Sequence, residues 1–470
     1  MIALLLLACL GVTVGPGWSD PILVTDSTNT SAPFQLLERD NRGRFHLIWE
    51  GFSEAQIGYK MFSLDGTTLY PETMISRNVN SFYLSTATLG DSLYAFWREY
   101  DPVYTSARSL TDGSELLSAT HLFTTYTWIP EIRSSPDSLG RLHVLHDGGF
   151  EGAEVFYSVW SPSPDSGFIT EYEWIIEGVD TGGVILVDGN KVHVVVQDSL
   201  VHDYMYLQYD LAGNTVVPLT DFTTEYLVCQ RYPELQVDSD GNPMVVAKIS
   251  GEYLYWKLDK NTGTTLIDQN SLVSSELPEM APSKDFIVRQ IPGSDQFYLC
   301  WTDGYLEHRV FNLVFDSDGN IIVDWHIAYD YIDEDPEDVK NIDGVVDDHG
   351  NLYIIYAQVE TEPQIDYFPT FGWFDHSYLG IDDTAGSLPE VECITLSQNP
   401  VQGGVQFSLS TSETVVLKIF DLMGREVSSV EISDGTGFWN GTGYSGERLP
   451  AGVYTVVCDP GISQRFSLLN

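Results

Sequence analysis

The chain has 470 residues, of which 68 are Asp or Glu and 22 are Lys or Arg, so its formal net charge is −46. With 43% hydrophobic and 13% aromatic residues it can bury a large core, which excludes a disordered protein. The negative charge excludes nucleic acids and anionic membranes as expected partners, because both are polyanions. A chain of this length is expected to form several domains, or one repeat architecture with an added module.

The first residues of the chain predict export. Residues 2–15 form an apolar run that is too short to cross a membrane, and the sequence turns polar at Ser19 and Asp20. Residues 1–19 are therefore interpreted as a secretory signal peptide, although no Lys or Arg precedes Arg39 to give it the usual positive start. No later stretch approaches 18 consecutive apolar residues, so we expect no transmembrane segment in the mature chain.

Four cysteines follow the predicted signal peptide, too few for a disulfide scaffold in a chain of this size. Cys393 and Cys458 belong to the same C-terminal segment and could pair in an oxidising compartment. They could equally be two small buried side chains that never meet, and the sequence leaves the choice open.

A pattern of strand, glycine turn and strand recurs at intervals of about 50 residues. Its turns need a positive φ, and their glycines are Gly43, Gly90, Gly140, Gly189, Gly241, Gly293 and Gly350. A second, acidic turn follows each of them after a further β-rich run, at Asp65, Asp112, Asp165, Asp210, Asp259, Asp318 and Asp375. Seven such units predict an all-β protein in which residues 20–378 form a seven-bladed β-propeller.

The ends of the repeat region predict how the ring closes. Little sequence after Asp375 is available for a fourth strand in the last blade, whereas residues 21–25 form an isolated β-rich segment before the first repeat. We expect this segment to become the outer strand of the last blade.

A different pattern begins after residue 389, where nine acidic residues stand against four basic ones. Residues 379–390 are interpreted as a linker and residues 391–470 as a small immunoglobulin-like β-sandwich. Val415, Leu417 and Ile419 alternate there with Val416, Lys418 and Phe420, as expected of a half-buried strand. This segment resembles the type A C-terminal sorting domain of proteins exported by the type IX secretion system. The residues that carry the resemblance are Asn399, Pro400, Gly403, Asp421, Gly424, Arg425, Trp439, Gly446, Leu449, Gly452 and Tyr454.

The resemblance implies a destination and a partner. After Sec export, the type IX machinery at the outer membrane would recognise the tail, and the protein would be extracellular or displayed on the surface of a Gram-negative-type bacterium. Asn440 and Gly443 stand where the family usually has acids, and Arg465 stands where Lys is common. An accessory immunoglobulin-like domain without a sorting role is the alternative.

Three histidines, His46, His143 and His193, occupy equivalent places in the strand after the first turn. They could surround a central channel and bind a metal ion, or they could pack inside their own repeats. Packing is favoured, because other repeats have Tyr or Met at the same place.

Two turns with the sequence Asp-Ser-Asp-Gly, at residues 238–241 and 316–319, resemble the start of a calcium loop. Neither is followed by the distal acid of such a loop, so plain turns are favoured. Residues 163–167 resemble half of the Asp-box turn of sialidase-like propellers, in one copy.

Arg133, Arg231 and Arg289 lie near the starts of three repeats, and a sialidase-like enzyme needs three arginines that converge on a substrate carboxylate. Each could instead pair with a neighbouring acid. We predict no cofactor, and spacing assigns no catalytic residue. The favoured function is a secreted or surface-displayed module that binds a glycan or a protein; the alternative is an extracellular sialidase-like glycoside hydrolase with its active site at the central channel.

Overall fold

A computed structural model describes residues 12–24, 35–50, 56–76, 81–99, 102–124, 132–148, 154–163, 167–177, 179, 181–198, 203–223, 233–249, 251–273, 282–303, 309–331, 339–360, 366–376, 395–396, 401–402, 404–408, 415–421, 426–433, 436–444, 446–458 and 462–469. The elements formed by these residues are β-strands, numbered β1 to β37 in chain order. The chain divides into two compact units, Met1–Gly380 and Ile381–Asn470. No helix that could span a membrane occurs in these ranges.

The first unit is a seven-bladed β-propeller of antiparallel sheets. Blade 1 consists of β3 (Gln35–Arg39), β4 (Phe45–Glu50), β5 (Ile57–Phe62) and β6 (Thr68–Met74), and blade 2 of β7 (Ser81–Leu89), β8 (Ser92–Glu99), β9 (Pro102–Ser109) and β10 (Glu115–Thr124). Blade 3 consists of β11 (Ile132–Pro136), β12 (Leu142–Gly148), β13 (Glu154–Ser163) and β14 (Gly167–Ile176), and blade 4 of β15 (Thr181–Asp188), β16 (Lys191–Asp198), β17 (Asp203–Asp210) and β18 (Thr215–Asp221).

The remaining blades follow the same order, and two of them also take up a strand from the start of the chain. Blade 5 consists of β19 (Glu234–Val237), β20 (Pro243–Ile249), β21 (Glu252–Leu258) and β22 (Thr265–Val273). Blade 6 consists of β23 (Pro282–Gln290), β24 (Gln296–Asp303), β25 (Arg309–Asp316), β26 (Ile321–Tyr331) and β1 (Val12–Val14). Blade 7 consists of β27 (Val339–Val346), β28 (Leu352–Glu360), β29 (Asp366–Phe374) and β2 (Ile22–Leu23).

The ring closes as the sequence predicts. The first strands of successive blades pack against one another around the axis, and β27 of blade 7 packs against β3 of blade 1. Strand β2 pairs antiparallel with β29 as the outer strand of blade 7, with Ile22 opposite Phe371. The prediction that this segment forms the outer strand of the last blade is confirmed for Ile22–Leu23.

The turns explain the periodicity of the sequence. All seven glycines predicted for the first turns have a positive φ, from 56° at Gly189 to 82° at Gly350. Six turns share the pattern Asp-x-x-Gly-Arg or Asp-x-x-Gly-Asn, in which the aspartate N–H donates to the carbonyl of the fifth residue and the glycine N–H donates back to the aspartate carbonyl. These aspartates are Asp40, Asp137, Asp210, Asp238, Asp316 and Asp347.

Aromatic and branched side chains fill the spaces between blades. At the interface of blades 7 and 1, for example, Phe45 lies 4.9 Å from Tyr353 and 4.8 Å from Phe371, between ring centroids. Burying a side chain of this size contributes about 1.5–3 kcal/mol. The high aromatic content is therefore largely a property of the ring's core.

The second unit contains two sheets. One consists of β30 (Thr395–Leu396), β32 (Val405–Ser408) and β35 (Thr436–Trp439); the other consists of β31 (Val401–Gln402), β33 (Val415–Asp421), β34 (Glu426–Ile432), β36 (Gly452–Cys458) and β37 (Ile462–Leu469). Both contribute to one core, which includes Phe407 and Trp439 from the first sheet and Leu417 and Val456 from the second. The immunoglobulin-like classification stays a prediction.

Candidate functional site in the central channel

Five charged side chains from the first strands are placed around the axis of the ring. They are Glu38 on β3, Arg133 on β11, Glu234 on β19, Arg289 on β23 and Asp343 on β27, and we call them the channel cluster. They belong to five different blades, so their arrangement depends on the closed ring.

Arg289 is held by acceptors of the protein itself. Its Nη1 donates to Glu234 Oε2 at 3.0 Å and to the Val288 carbonyl at 2.9 Å, and its Nη2 donates to Asp343 Oδ1 at 2.7 Å. Its Nε donates to the Gly344 carbonyl at 2.6 Å. Since a guanidinium has five N–H donors, most of its capacity is used in joining blades 5, 6 and 7.

Two of the three arginines predicted to bind a substrate carboxylate act instead on Glu234, Arg289 through a hydrogen bond and Arg133 through its charge. Burial raises the pKa of Glu234, and the charges of Arg289 and Arg133 oppose that rise. Arg231, the third predicted arginine, lies outside the described residues. In the described part of the channel, the carboxylate that faces the arginines therefore belongs to the chain.

Glu38 accepts hydrogen bonds from two threonines, whereas Glu234 and Asp343 accept from Arg289. Its Oε1 accepts a hydrogen bond from Thr86 Oγ1 at 3.0 Å, and its Oε2 accepts one from Thr88 Oγ1 at 3.5 Å. Burial, together with the negative charge of Asp343, raises the pKa of Glu38 to about 7. With its pKa raised into this range, the carboxyl is partly protonated near neutral pH, so it could donate a proton or a hydrogen bond.

Hydrogen bonds between first strands continue the contacts around the channel. Leu37 N donates to Asp343 Oδ2 at 2.8 Å and links blades 1 and 7. Val187 N donates to Ser135 Oγ at 2.9 Å and links blades 3 and 4, while Gln236 Nε2 donates to the Val288 carbonyl at 3.0 Å. Polar groups in the channel wall therefore stabilise the ring.

The three equivalent histidines pack within their own blades. His46, His143 and His193 are fully buried, and the Nδ1 atom of each lies 2.6–2.9 Å from a tyrosine hydroxyl in the next strand. The structure does not bring them together, and the described residues contain no group of three or more metal-ligating side chains. The packing interpretation accounts for these positions.

The two turns that resemble calcium loops are closed by their own residues. Asp238 Oδ1 accepts from Asn242 N at 2.7 Å, and its Oδ2 lies 2.8 Å from Lys257 Nζ. Asp316 accepts from the backbone N–H of Asp318 and Asn320 in the same way. Both aspartates therefore accept from turn amides, as the interpretation as plain turns predicts, and Asp238 also pairs with Lys257.

Sequence reasoning missed a serine and histidine pair in blade 3. His146 Nε2 lies 3.1 Å from Ser158 Oγ, which donates to Glu173 Oε2 at 3.2 Å. Ser158 is fully buried and its proton is directed to Glu173, so this hydroxyl cannot reach a substrate as a nucleophile. The alternation of strands β12 and β13 could have placed the pair on one face, but not shown its burial.

Most connections between blades, and most of those between second and third strands, lie outside the described residues. So do residues 164–166 of the segment that resembles an Asp-box. The described turns lie at the opposite end of the blades, between first and second and between third and fourth strands.

The residues that carry the resemblance to a sorting domain have structural roles where the structure describes them. Trp439 is buried and its Nε1 donates to the Thr442 carbonyl at 3.0 Å, and Tyr454 Oη donates to the Pro450 carbonyl at 2.8 Å. Gly446 has a φ of 79°, which favours glycine. Leu449 is buried, Gly452 begins β36 and Asp421 ends β33. The remaining motif positions, and Cys393, lie outside the described residues: Asn399, Pro400, Gly403, Gly424 and Arg425.

No protein-family model and no curated protein matches the sequence. Among solved structures, a fungal alcohol oxidase in complex with copper is 12% identical, with a TM-score of 0.52 over 97% of this chain and 100% of that chain. A polysaccharide lyase, an ulvan lyase bound to -[GlcA(1-4)Rha3S]-, is 9% identical, with a TM-score of 0.52 over 78% of this chain and 100% of that chain. A Trypanosoma rangeli sialidase in complex with the inhibitor DANA is 11% identical, with a TM-score of 0.43 over 97% and 89%.

At these identities the likeness concerns the fold alone. The chain is an all-β protein whose first unit is a seven-bladed propeller, and its fold is similar to those of this alcohol oxidase and this polysaccharide lyase. Because these neighbours are named for different reactions, the fold does not select a function.

Proposed function

We propose that this protein is an exported propeller that binds a glycan or a protein, and that its C-terminal unit is the export signal. The observation that supports binding over hydrolysis is the coordination of Arg289. A sialidase-like site needs arginine donors that are free for a substrate carboxylate, whereas Arg289 donates to Glu234, Asp343 and two carbonyls. In this proposal the channel cluster stabilises the ring, and the ligand is recognised elsewhere on the propeller.

The test is a binding screen of the full-length exported chain on glycan and protein arrays, together with a hydrolysis assay on a panel of glycosides. We expect binding without turnover. The matched variant is Arg289→Lys, which should lower the melting temperature but leave the affinity for an array hit within about twofold. A tenfold or greater loss of affinity would place Arg289 in the ligand site and contradict the proposal.

Glu38 supports hydrolysis as a second candidate. A carboxyl that is partly protonated at neutral pH inside a channel has the property of a general acid in glycoside hydrolysis. If the glycoside panel shows turnover, Glu38→Gln should reduce kcat by about 100-fold or more, since general acid catalysis contributes about 10²–10⁴-fold. Turnover that is unchanged in Glu38→Gln would exclude Glu38 as the proton donor.

Export by the C-terminal unit is supported by its residues that resemble a sorting domain, such as Trp439 and Gly452, and by its separate core. We expect a chain that ends at Gly380 to remain inside the cell, while the full chain appears in the medium or at the surface. The matched control is Tyr444→Ser, an exposed position in the same unit, which should be exported normally. Efficient export of the shortened chain would contradict this part of the proposal.

A further inference from the structure

The segment from Val12 to Val24 forms part of the folded ring. Strand β1 pairs antiparallel with β26, with Val12 opposite Tyr331 and Val14 opposite Tyr329. Gly15 N continues this pairing by donating to the Ala328 carbonyl at 2.9 Å. The start of the segment is therefore an added outer strand of blade 6.

The middle of the same segment binds blade 7. Ser19 N donates to the Trp373 carbonyl at 2.9 Å, and Trp373 N donates to Ser19 Oγ at 3.1 Å. Tyr329 Oη of blade 6 donates to the Ser19 carbonyl at 3.0 Å, and Asp375 N donates to the Gly17 carbonyl at 3.0 Å. Residues 15–19 thus join blades 6 and 7 before β2 closes blade 7.

Trp18 anchors the segment. Only 7% of its surface is exposed, and its ring centroid lies 5.3 Å from that of Tyr329 and 5.2 Å from that of Phe374. Its Nε1 lies 3.5 Å from His326 Nε2. A signal peptide that ended at residue 19 would remove this buried tryptophan and the whole of β1, leaving exposed the aromatic surface that it covers.

We propose that the proteolytic cut linked to export falls before Val12, and that residues 12–24 stay in the mature protein as the outer strands of blades 6 and 7. The cut is the hydrolysis of one peptide bond by water, which yields a new carboxylate on the leader and a new amine on the mature chain. This inference rests on the proposed export, and it moves the predicted end of the signal peptide from residue 19 to a position before residue 12.

The first test is mass spectrometry of tryptic peptides from the exported protein. Because no Lys or Arg precedes Arg39, a single peptide that ends at Arg39 reports the mature N-terminus. We expect a cut chain whose peptide begins no later than residue 12. An exported chain that is uncut, or whose peptide begins at residue 13 or later, overturns the inference while leaving export intact; a chain that is neither exported nor cut overturns both.

The second test does not depend on export. Chains that begin at residue 12 and at residue 20 are produced directly in the cytoplasm, and their melting temperatures are compared. We expect the shorter chain to melt at least about 5 °C lower, or to fail to fold. Equal melting temperatures would show that the segment is not part of the stable ring and would overturn the inference.

A point substitution keeps this test within the full chain. The Cβ of an alanine at Gly15 would lie 2.0 Å from the Ile327 carbonyl oxygen, so Gly15→Ala must displace β1 from β26. Pro16 is exposed, and Pro16→Ala is the matched control. We expect the Gly15 variant to melt about 3–8 °C lower and the control to match the parent within about 1 °C. Equal effects of the two variants would contradict the inference.

Discussion

Because His193 is buried, its titration makes the stability of the protein depend on pH. Desolvation, with the nearby charge of Lys191, lowers its pKa from 6.5 to about 4. Between these values the unfolded chain binds a proton that the native chain does not, so stability is fully present above pH 6.5 and is lost as the pH falls towards 4. The difference between the two pKa values corresponds to about 3 kcal/mol of unfolding free energy.

The substitution His193→Met tests this pH dependence, because Met244 occupies the equivalent place in blade 5. At pH 7 we expect a cost of about 1 kcal/mol from the lost bond to Tyr206. Urea unfolding between pH 7 and pH 4.5 should show a weaker loss of stability in this variant than in the parent. The control is His121→Met, at an exposed position, in which the unfolding free energy should fall with pH as steeply as in the parent. An equally steep fall in both variants would contradict the assignment of this pH dependence to His193.

At the scale of elements, the Asp-x-x-Gly turns join neighbouring blades. Asp137 Oδ1 accepts from the backbone N–H of Leu139 and Arg141, while its Oδ2 accepts from Arg141 Nε at 2.8 Å. Arg141 Nη2 then donates to the Leu211 carbonyl of blade 4 at 2.9 Å. Burial alone would raise the pKa of Asp137, but these hydrogen bonds hold it below its usual value. One buried carboxylate thus fixes both the turn and its contact with the next blade.

Asp137→Asn should therefore destabilise the ring by about 2–4 kcal/mol, because an amide group cannot accept from all of these donors. The matched control is Asp210→Asn, in a turn of the same pattern that is more exposed and has no arginine, where we expect less than about 1 kcal/mol. Urea unfolding of the two variants measures the difference. Equal losses would show that burial does not set the strength of these turns.

The sequence predicts the ring, but only part of the charged cluster at its axis. The positive φ of the turn glycines is a local requirement, so Gly43 and its six equivalents could be recognised from periodicity. The channel cluster could be predicted only in part: Arg133 and Arg289 stand out because basic residues are scarce, whereas nothing local distinguishes Glu38, Glu234 or Asp343 among 68 acids. Strand β1 was missed for another reason: its apolar residues also fit a signal peptide.

The separate cores of the two units predict separate unfolding. The core of the C-terminal unit is a cluster of residues between Val405 and Leu468, and the ring has its own clusters between blades. Calorimetry of the full chain should therefore show two transitions, the smaller with an enthalpy of about 60 kcal/mol for roughly 90 residues. A chain that ends at Gly380 should lose the smaller transition and keep the melting temperature of the larger one within about 1 °C. A single transition that shifts when the C-terminal unit is removed would mean that the ring depends on this unit, and it would contradict separate unfolding.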